Sequence, residues 1–319
     1  MSKKRVAKGV VVIGELNIDI VAAGLSESPK MGAEILATDF QLTLGSASAI
    51  FACGVAKLGH EVTFISRVGR DEFGKFCMAA LRQAGISTRH ISRDEDLKTG
   101  VTVSLSTRMD RALVTYCGTI AALGHEHIRT SWFKGRRHLH MTSYFLQSRL
   151  RSSFPQILLE ARELGLSTSF DPNSDPSHAW SDRIRDVLAY TDILFLNEAE
   201  ALELTRAGTV SAALKMLGAE VPCAVIKLGA QGAVAIRNEE LTSVRGFKVE
   251  PTDTTGAGDS FAAGFVSSYL RGQSMAESLR VANACGALST VWTGGTSGQP
   301  TLQGLRKFLR AHPPSEGSS

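Results

Sequence analysis

Long apolar runs are missing from this 319-residue chain. Val10 to Ile13 is too short for a signal-peptide core, and no run is long enough to span a bilayer. Paired cysteines are missing too. Cys53, Cys77, Cys117, Cys223 and Cys285 are odd in number, scattered and without Cys-x-x-Cys spacing. That argues against a structural zinc and for a reducing compartment, so a cytoplasmic protein is expected. A strong excess of one charge is also absent. The formal net charge of +4 does not indicate nucleic acid, and the basic cluster Lys134 to Arg137 lacks the interleaved aromatics of a single-strand platform. Neither nucleic acid nor membrane is an expected partner. What is present, 43% hydrophobic and 21% charged residues, suits a soluble globular protein with a sizeable core, in one large α/β domain or two small ones.

Val10–Ile13 reads as a strand buried on both faces, followed by strand–helix alternation through Val62–Val68 and Phe73–Ala84. Short half-exposed strands are expected around Ile18–Ile20 and Phe40–Leu44, and Ala47–Leu58 reads as a closely packed helix. Val101–Leu105 and Ala112–Tyr116 alternate as a hairpin that, with those early strands, forms a small sheet standing off the body. From His138 the alternation resumes, with strands at Leu139–Thr142, Ser167–Phe170, Ile193–Leu196 and Ala224–Leu228, a short strand at Phe247–Val249 and helices between and after them. Residues 1–8 and 312–319 are expected to be disordered. Repeated β-α-β units predict a doubly wound parallel sheet that binds ligands at the carboxyl ends of its strands.

One turn stands out. In Asp253-Thr-Thr-Gly256-Ala257-Gly258-Asp259 a helix begins inside a glycine run, leaving backbone N–H groups uncovered at a positive helix end. Asp259 fits either a helix cap or a base that deprotonates a nucleophile attacking a bound phosphate. Three further strand ends carry polar residues: Asp171-Pro-Asn173, Asn197-Glu-Ala-Glu200, and Lys227-Leu-Gly229-Ala-Gln-Gly232. Carboxylates and amides there suit a hydrated magnesium and phosphates, although Asp171 or Asn197 alone would read as an N-cap. By contrast, Gly69-Arg-Asp-Glu-Phe-Gly74-Lys75-Phe76 fails as a P-loop. Phe76 cannot ligate magnesium, and the acidic turn is expected simply to open a helix.

The run from Asp253 to Phe265 resembles, throughout, the C-terminal signature of the ribokinase-like (PfkB) carbohydrate kinases. Gly14–Asp19, Val68–Gly74, Asp171-Pro-Asn173, Asn197–Glu200 and Leu228–Gly232 follow in the family's order, so the likeness extends from Val10 to about Leu309. It implies a Rossmann-like three-layer α/β/α domain over 9–311, with a small β-sheet lid from about 15–44 and 99–120. By this resemblance Asp259 is the general base, and the amides of Gly256, Ala257 and Gly258 form the anion hole. Asn197 and Glu200 organise magnesium, through water, and the ATP phosphates. Lys227, Gly229, Gly232, Gly258 and Asn283 lie on the nucleotide side. Asp19 grips sugar hydroxyls, beside Gly45 and Ser46. Asp253, Thr255, Ser289 and Gly294 are candidate ligands of a monovalent cation, K+ being the implied ion. Pairing of two lids into a homodimer is the expected assembly.

The departures fall on the substrate side. Ser46 replaces the second glycine of the family's N-terminal signature, and Ile50 stands where an asparagine usually binds the sugar. Isoleucine neither donates nor accepts a hydrogen bond, so a sugar that needs that amide, such as ribose, should lose discrimination. Asp175 also occupies a position where arginine is frequent. The expected activity is an ATP- and magnesium-dependent transfer of the γ-phosphate to a primary hydroxyl of a free sugar. Two alternatives stay open. One is a nucleoside kinase of the same fold, whose base clamp would draw on Phe40, Tyr116 and Tyr144 despite an aromatic content of only 7%. The other is a non-catalytic sugar- or nucleotide-binding regulator.

Overall fold

The structure, a computed structural model, describes residues 9–107, 111–181 and 183–313. The expected disordered tails therefore lie outside the described residues, apart from His312 and Pro313. Among the described residues there are thirteen strands: β1 (Gly9–Ile13), β2 (Asn17–Ala23), β3 (Asp39–Leu44), β4 (Val62–Gly69), β5 (Ile91–Asp94), β6 (Gly100–Ser106), β7 (Arg111–Tyr116), β8 (Arg136–Thr142), β9 (Ser167–Asp171), β10 (Ile193–Asn197), β11 (Cys223–Lys227), β12 (Gly232–Arg237) and β13 (Glu240–Arg245). The helices are α1 (Ala47–Lys57), α2 (Glu72–Gln83), α3 (Thr119–Ala122), α4 (Phe154–Glu163), α5 (Ile184–Leu188), α6 (Glu198–Thr205), α7 (Val210–Glu220), α8 (Ala257–Tyr269), α9 (Met275–Ser289) and α10 (Leu302–Ala311).

The strands form two sheets. The larger has the order β13-β12-β11-β10-β9-β8-β1-β4-β5 and is parallel from β11 to β5. The β12–β13 hairpin extends it antiparallel, so the sheet is mixed rather than wholly parallel. Alternating side chains feed two hydrophobic layers, as a strand buried on both faces requires. Val10 and Val12 of β1 and Phe195 of β10 pack with Phe51, Phe261 and Phe265 on one face. Val11, Ile13, Leu194 and Leu196 pack with Phe154 and Phe170 on the other.

The smaller sheet has the order β3-β2-β6-β7. Its second strand follows β1 after only Gly14, Glu15 and Leu16, so the chain crosses directly from the large sheet to the small one. Phe40, Leu42, Leu113, Val114 and Tyr116 of the small sheet are exposed. Among the described residues, no helix is long and apolar enough to cross a membrane.

Two local expectations are corrected. Phe247–Val249 is not a strand. The edge strand ends at Arg245, and Phe247 packs on Phe308 and His312 instead of pairing. β5, with a single apolar residue and no alternation, adds an edge beside β4 that periodicity does not announce. The acidic turn at Asp71 behaves as read. Its carboxylate caps α2 by accepting from the Gly74 amide at 2.8 Å, and it also accepts from the amide and hydroxyl of Thr99.

Candidate active site

The carboxyl ends of β8, β9, β10 and β11 lie along one edge of the large sheet, and α8 begins beside them. Parallel pairing sets Thr142 beside Asp171 and Asn197 beside Lys227. Lys227 reaches across to Asp171, donating to its Oδ2 at 2.6 Å in a buried ion pair. Burial opposes the lysine's charge, but Asp171 and Glu200 outweigh it, so its pKa is raised and it stays protonated. The same ammonium lies under the first turn of α8, where a Cβ on Gly258 would come within 3.2 Å of Nζ.

Asn197 caps α6. Its Oδ1 accepts from the Glu200 amide, and Glu200 accepts in return from the Asn197 amide, each at 2.8 Å. This capping box fixes the Glu200 carboxylate at the strand end, where Ser174 Oγ also donates to it. Burial raises the Glu200 pKa, with Lys227 pulling the other way and Asp171 adding repulsion. Of the two readings of Asn197, capping is what the geometry shows. The cap aims the acid.

Gly256 takes φ 69° at the start of α8, a left-handed conformation suited to glycine, and no side chain caps the helix. Of the three amides expected to line an anion hole, Ala257's instead closes a turn onto the Thr254 carbonyl at 3.2 Å. The amides of Gly256 and Gly258 find no acceptor among the described residues, and neither does that of Asp259, which sequence reasoning did not name. The Asp259 carboxyl stands beside them on a half-buried residue. Burial, then repulsion from Asp171, pushes it up to about 7. Glu15 and Glu200 add repulsion, and Lys227 opposes them. A carboxyl poised near neutrality next to uncovered helix-end amides can take a proton from a hydroxyl while those amides face an anion.

Asp253 staples this turn to a second glycine turn. Its Oδ1 accepts from the Thr255 amide and its Oδ2 from the Gly294 amide, each at 2.9 Å. Ser289, buried at the end of α9, spends its hydroxyl on the Gly286 carbonyl. Asn283 meets Gly232 at the start of the β12–β13 pairing, its amide donating to the Val244 and Arg245 carbonyls of β13. Gly232 has a packing reason of its own, since a Cβ there would come within 2.1 Å of the Val244 carbonyl oxygen.

On the substrate side, Gly45 lets Asp19 lie against the backbone. A Cβ at that position would be 2.2 Å from Asp19 Oδ1, which also accepts from Asn17 Nδ2. Ser46 holds φ 75° without being glycine. Its hydroxyl compensates by donating to the Glu15 carbonyl at 2.5 Å and accepting from the Ala49 amide at 3.0 Å. Glu15, which sequence reasoning also passed over, is a buried carboxyl that accepts from the amide and hydroxyl of Ser48 at 3.1 and 2.7 Å. Burial raises its pKa against those donors. The signal was available: a carboxylate directly after a parallel strand. Asp175 is not a substitute ligand. It accepts from Ser177, Ala179 and Trp180 and folds its own loop. Tyr144 is 3% exposed and packed edge-on against Phe145, Phe154 and Phe170, which removes it from any base clamp.

Oxygen donors from Asn197 and Glu200 beside a protonated lysine suit a hard divalent cation carried in with phosphates. Among the described residues, no group of three or more His, Cys, Asp or Glu could hold a metal ion.

Comparison with known proteins agrees with this geometry. Residues 7–302 match the model of the pfkB family carbohydrate kinases. The chain is 31% identical over 289 residues to a Bacillus subtilis 2-dehydro-3-deoxygluconokinase, covering 85% of this chain and 88% of that one. It is 30% identical over 312 residues to a Haemophilus influenzae ribokinase, covering 95% and 98%. Among solved structures, an Escherichia coli protein described as a putative ribokinase II, in complex with ATP and Mg2+, superposes with a TM-score of 0.84 at 27% identity, covering 96% and 100%. A Vibrio cholerae fructokinase bound to fructose, ADP and potassium superposes with a TM-score of 0.79 at 26% identity, covering 95% and 98%. The chain belongs to the pfkB family of carbohydrate kinases, phosphotransferases that take an alcohol group as acceptor.

Proposed function

We propose that this kinase transfers the γ-phosphate of ATP to a primary hydroxyl of a free, neutral sugar. The observation that carries the reading is Asp259, a carboxyl held near neutrality against the uncovered amides that open α8. In this mechanism Asp259 accepts the hydroxyl proton as the sugar oxygen attacks. The amides of Gly256, Gly258 and Asp259 face the charge developing on the transferring group, with Lys227 below the turn adding positive potential. Magnesium, held through water by Glu200 and Asn197, would supply charge neutralisation to the ATP phosphates. Asp253, Thr255, Ser289 and Gly294 are the candidate ligands for potassium, the ion named with the Vibrio fructokinase. Lys227, Gly229 and Gly232 would flank the nucleotide.

Asp19, with Gly45 and Ser46, would hold sugar hydroxyls. A neutral substrate fits better than an acidic one, because Asp19, Glu15 and Asp259 bring carboxyl groups to this side while Lys227 is already paired with Asp171. Residues 9–311 then act as one unit, with the small sheet as a lid that excludes water on closing. The exposed Phe40, Leu42, Leu113, Val114 and Tyr116 make that sheet the candidate surface for a homodimer, and sedimentation as a monomer at micromolar concentration would count against it. Five free cysteines fit a cytoplasmic location.

The deciding experiment is an ATP-dependent assay over ribose, fructose, 2-dehydro-3-deoxygluconate and a wider sugar panel, with and without potassium. Adenosine and inosine serve as the nucleoside arm. Turnover of a neutral sugar supports the reading. Turnover confined to nucleosides, or none with any acceptor, overturns it.

A further inference from the structure

Ile50 lies where sequence comparison expects a sugar-binding amide, yet it does not behave as a vacated subsite. It is 3% exposed, in the first turn of α1. Its side chain is driven between two glycines that are distant in the chain. A Cβ on Gly256 would lie 2.9 Å from both Cδ1 and Cγ2 of Ile50 and 3.0 Å from the Gly295 Cα. A Cβ on Gly295 would lie 2.5 Å from Ile50 Cδ1. The two glycine backbones therefore close on the isoleucine tip with no room for another side chain.

The backbone of Ile50 is tied to the same place. Gln299 Nε2 donates to the Ile50 carbonyl at 2.8 Å and to Ser260 Oγ at 3.0 Å, and Ser260 directly follows Asp259. Gly295 in turn follows Gly294, whose amide is held by Asp253, the residue that also fixes Thr255. Three segments thus meet on one aliphatic side chain: the start of α1, the turn that opens α8 and the 294–295 turn.

We infer that Ile50 is a positioning residue for phosphoryl transfer, an apolar wedge that fixes the left-handed Gly256 turn and aims its amides, rather than a degraded sugar contact. This deepens the kinase reading and rests on it. A packed branched side chain has one arrangement available at close-packed density, whereas an amide there would bury polar atoms against glycine backbone. The residue that departs from the family's substrate signature thereby serves the transfer half.

The series Ile50→Val, Ile50→Ala and Ile50→Asn tests this, read as kcat and sugar KM with melting temperature alongside. Valine removes Cδ1, and alanine removes every atom of the wedge. A stepwise fall in kcat is expected, to roughly a tenth or less in Ile50→Ala, below the cost of deleting an oxyanion donor outright. Sugar KM should stay within about threefold, since only an interaction made in the transition state is lost. Ile50→Asn should lose kcat without gaining sugar affinity. An unchanged kcat with altered sugar KM or sugar preference overturns the inference and makes Ile50 a sugar-subsite residue. Should Ile50→Ala fail to fold, Ile50→Val carries the same split.

A readout free of turnover separates this inference from the kinase reading. With isotopically labelled glycine, the amide resonances of Gly256 and Gly295 should shift together in Ile50→Val, and unmoved resonances refute the wedge. A wild type that phosphorylates no sugar while those resonances respond would overturn the kinase reading and uphold the packing role.

Discussion

The two halves of the proposed site are built on different logic. The proposed phosphoryl-transfer half rests on two short-range devices, a glycine turn and a capping box, joined by one long-range ion pair that reaches from the end of β11 past β10 to the end of β9. The proposed sugar half is a set of long-range fits, where Gly45 accommodates Asp19 and Ser48 meets Glu15. The first kind of site is specified by a few consecutive residues and tolerates little change. The second is specified by who packs on whom, so single positions can be exchanged while the cleft survives. That difference accounts for a chain that keeps its family's reaction signature while altering its substrate signature.

The sharpest way to break the comparison is at the base. Asp259→Asn should cut turnover by at least ~10²-fold with ATP affinity little changed, because only the proton acceptor is removed. Near-normal turnover would mean that the transfer half has been misassigned. Next comes Lys227→Met, which leaves Asp171 buried beside Glu200 and Asp259 without its partner. A loss of about 3–5 kcal/mol in denaturant unfolding is expected, as for a broken buried pair, and an unchanged midpoint would show that the pair is not holding the strand ends together.

The pH profile has a smaller effect and a defined sign. A base must be ionised to act, so with a carboxyl at about 7 the rate should fall as pH drops below 7, approaching about tenfold per unit. A flat profile from pH 5 to 8 would contradict the environment described for Asp259. Stability runs the opposite way. The folded pKa of this acid lies above its unfolded value, so ionising it costs stability as pH rises through that window. Asp259→Asn should therefore melt higher than wild type above pH 7, and the gap should close near pH 4. The mildest test falls on the sugar half. Glu15→Gln keeps an acceptor for the Ser48 amide but removes a charge that repels Asp259, so the acid limb of the profile should move to lower pH. An unmoved limb would show the two halves to be electrically independent.

How much could be read without coordinates follows the same division. The Gly256–Asp259 turn, the Asn197–Glu200 cap and the Asp71 helix start are legible because each is a rule about consecutive residues. The Lys227–Asp171 pair needed the strand order. The wedge at Ile50 needed the contact with Gly295, which no spacing rule supplies. Misreadings had the same origin. Phe247–Val249 alternates like a strand, but its apolar side chain is claimed by α10. Ala257 was credited with a free amide that a local turn consumes. Tyr144 offered an aromatic ring that the core had already taken.

The direct passage from β1 into β2 through Gly14, Glu15 and Leu16 has a mechanical consequence. Of those three residues Glu15 is bolted to α1 through Ser48, and Leu16 is fully buried, so the crossing has no slack. The small sheet is hung from the large one like a door on a stiff hinge pin, and Asp19 rides only a few residues out along the door. If the small sheet swings as the lid proposed above, travel at Asp19 should be short even when the far edge at β7 sweeps widely. On that proposal the far edge would open to admit a sugar while the inner edge keeps its aim.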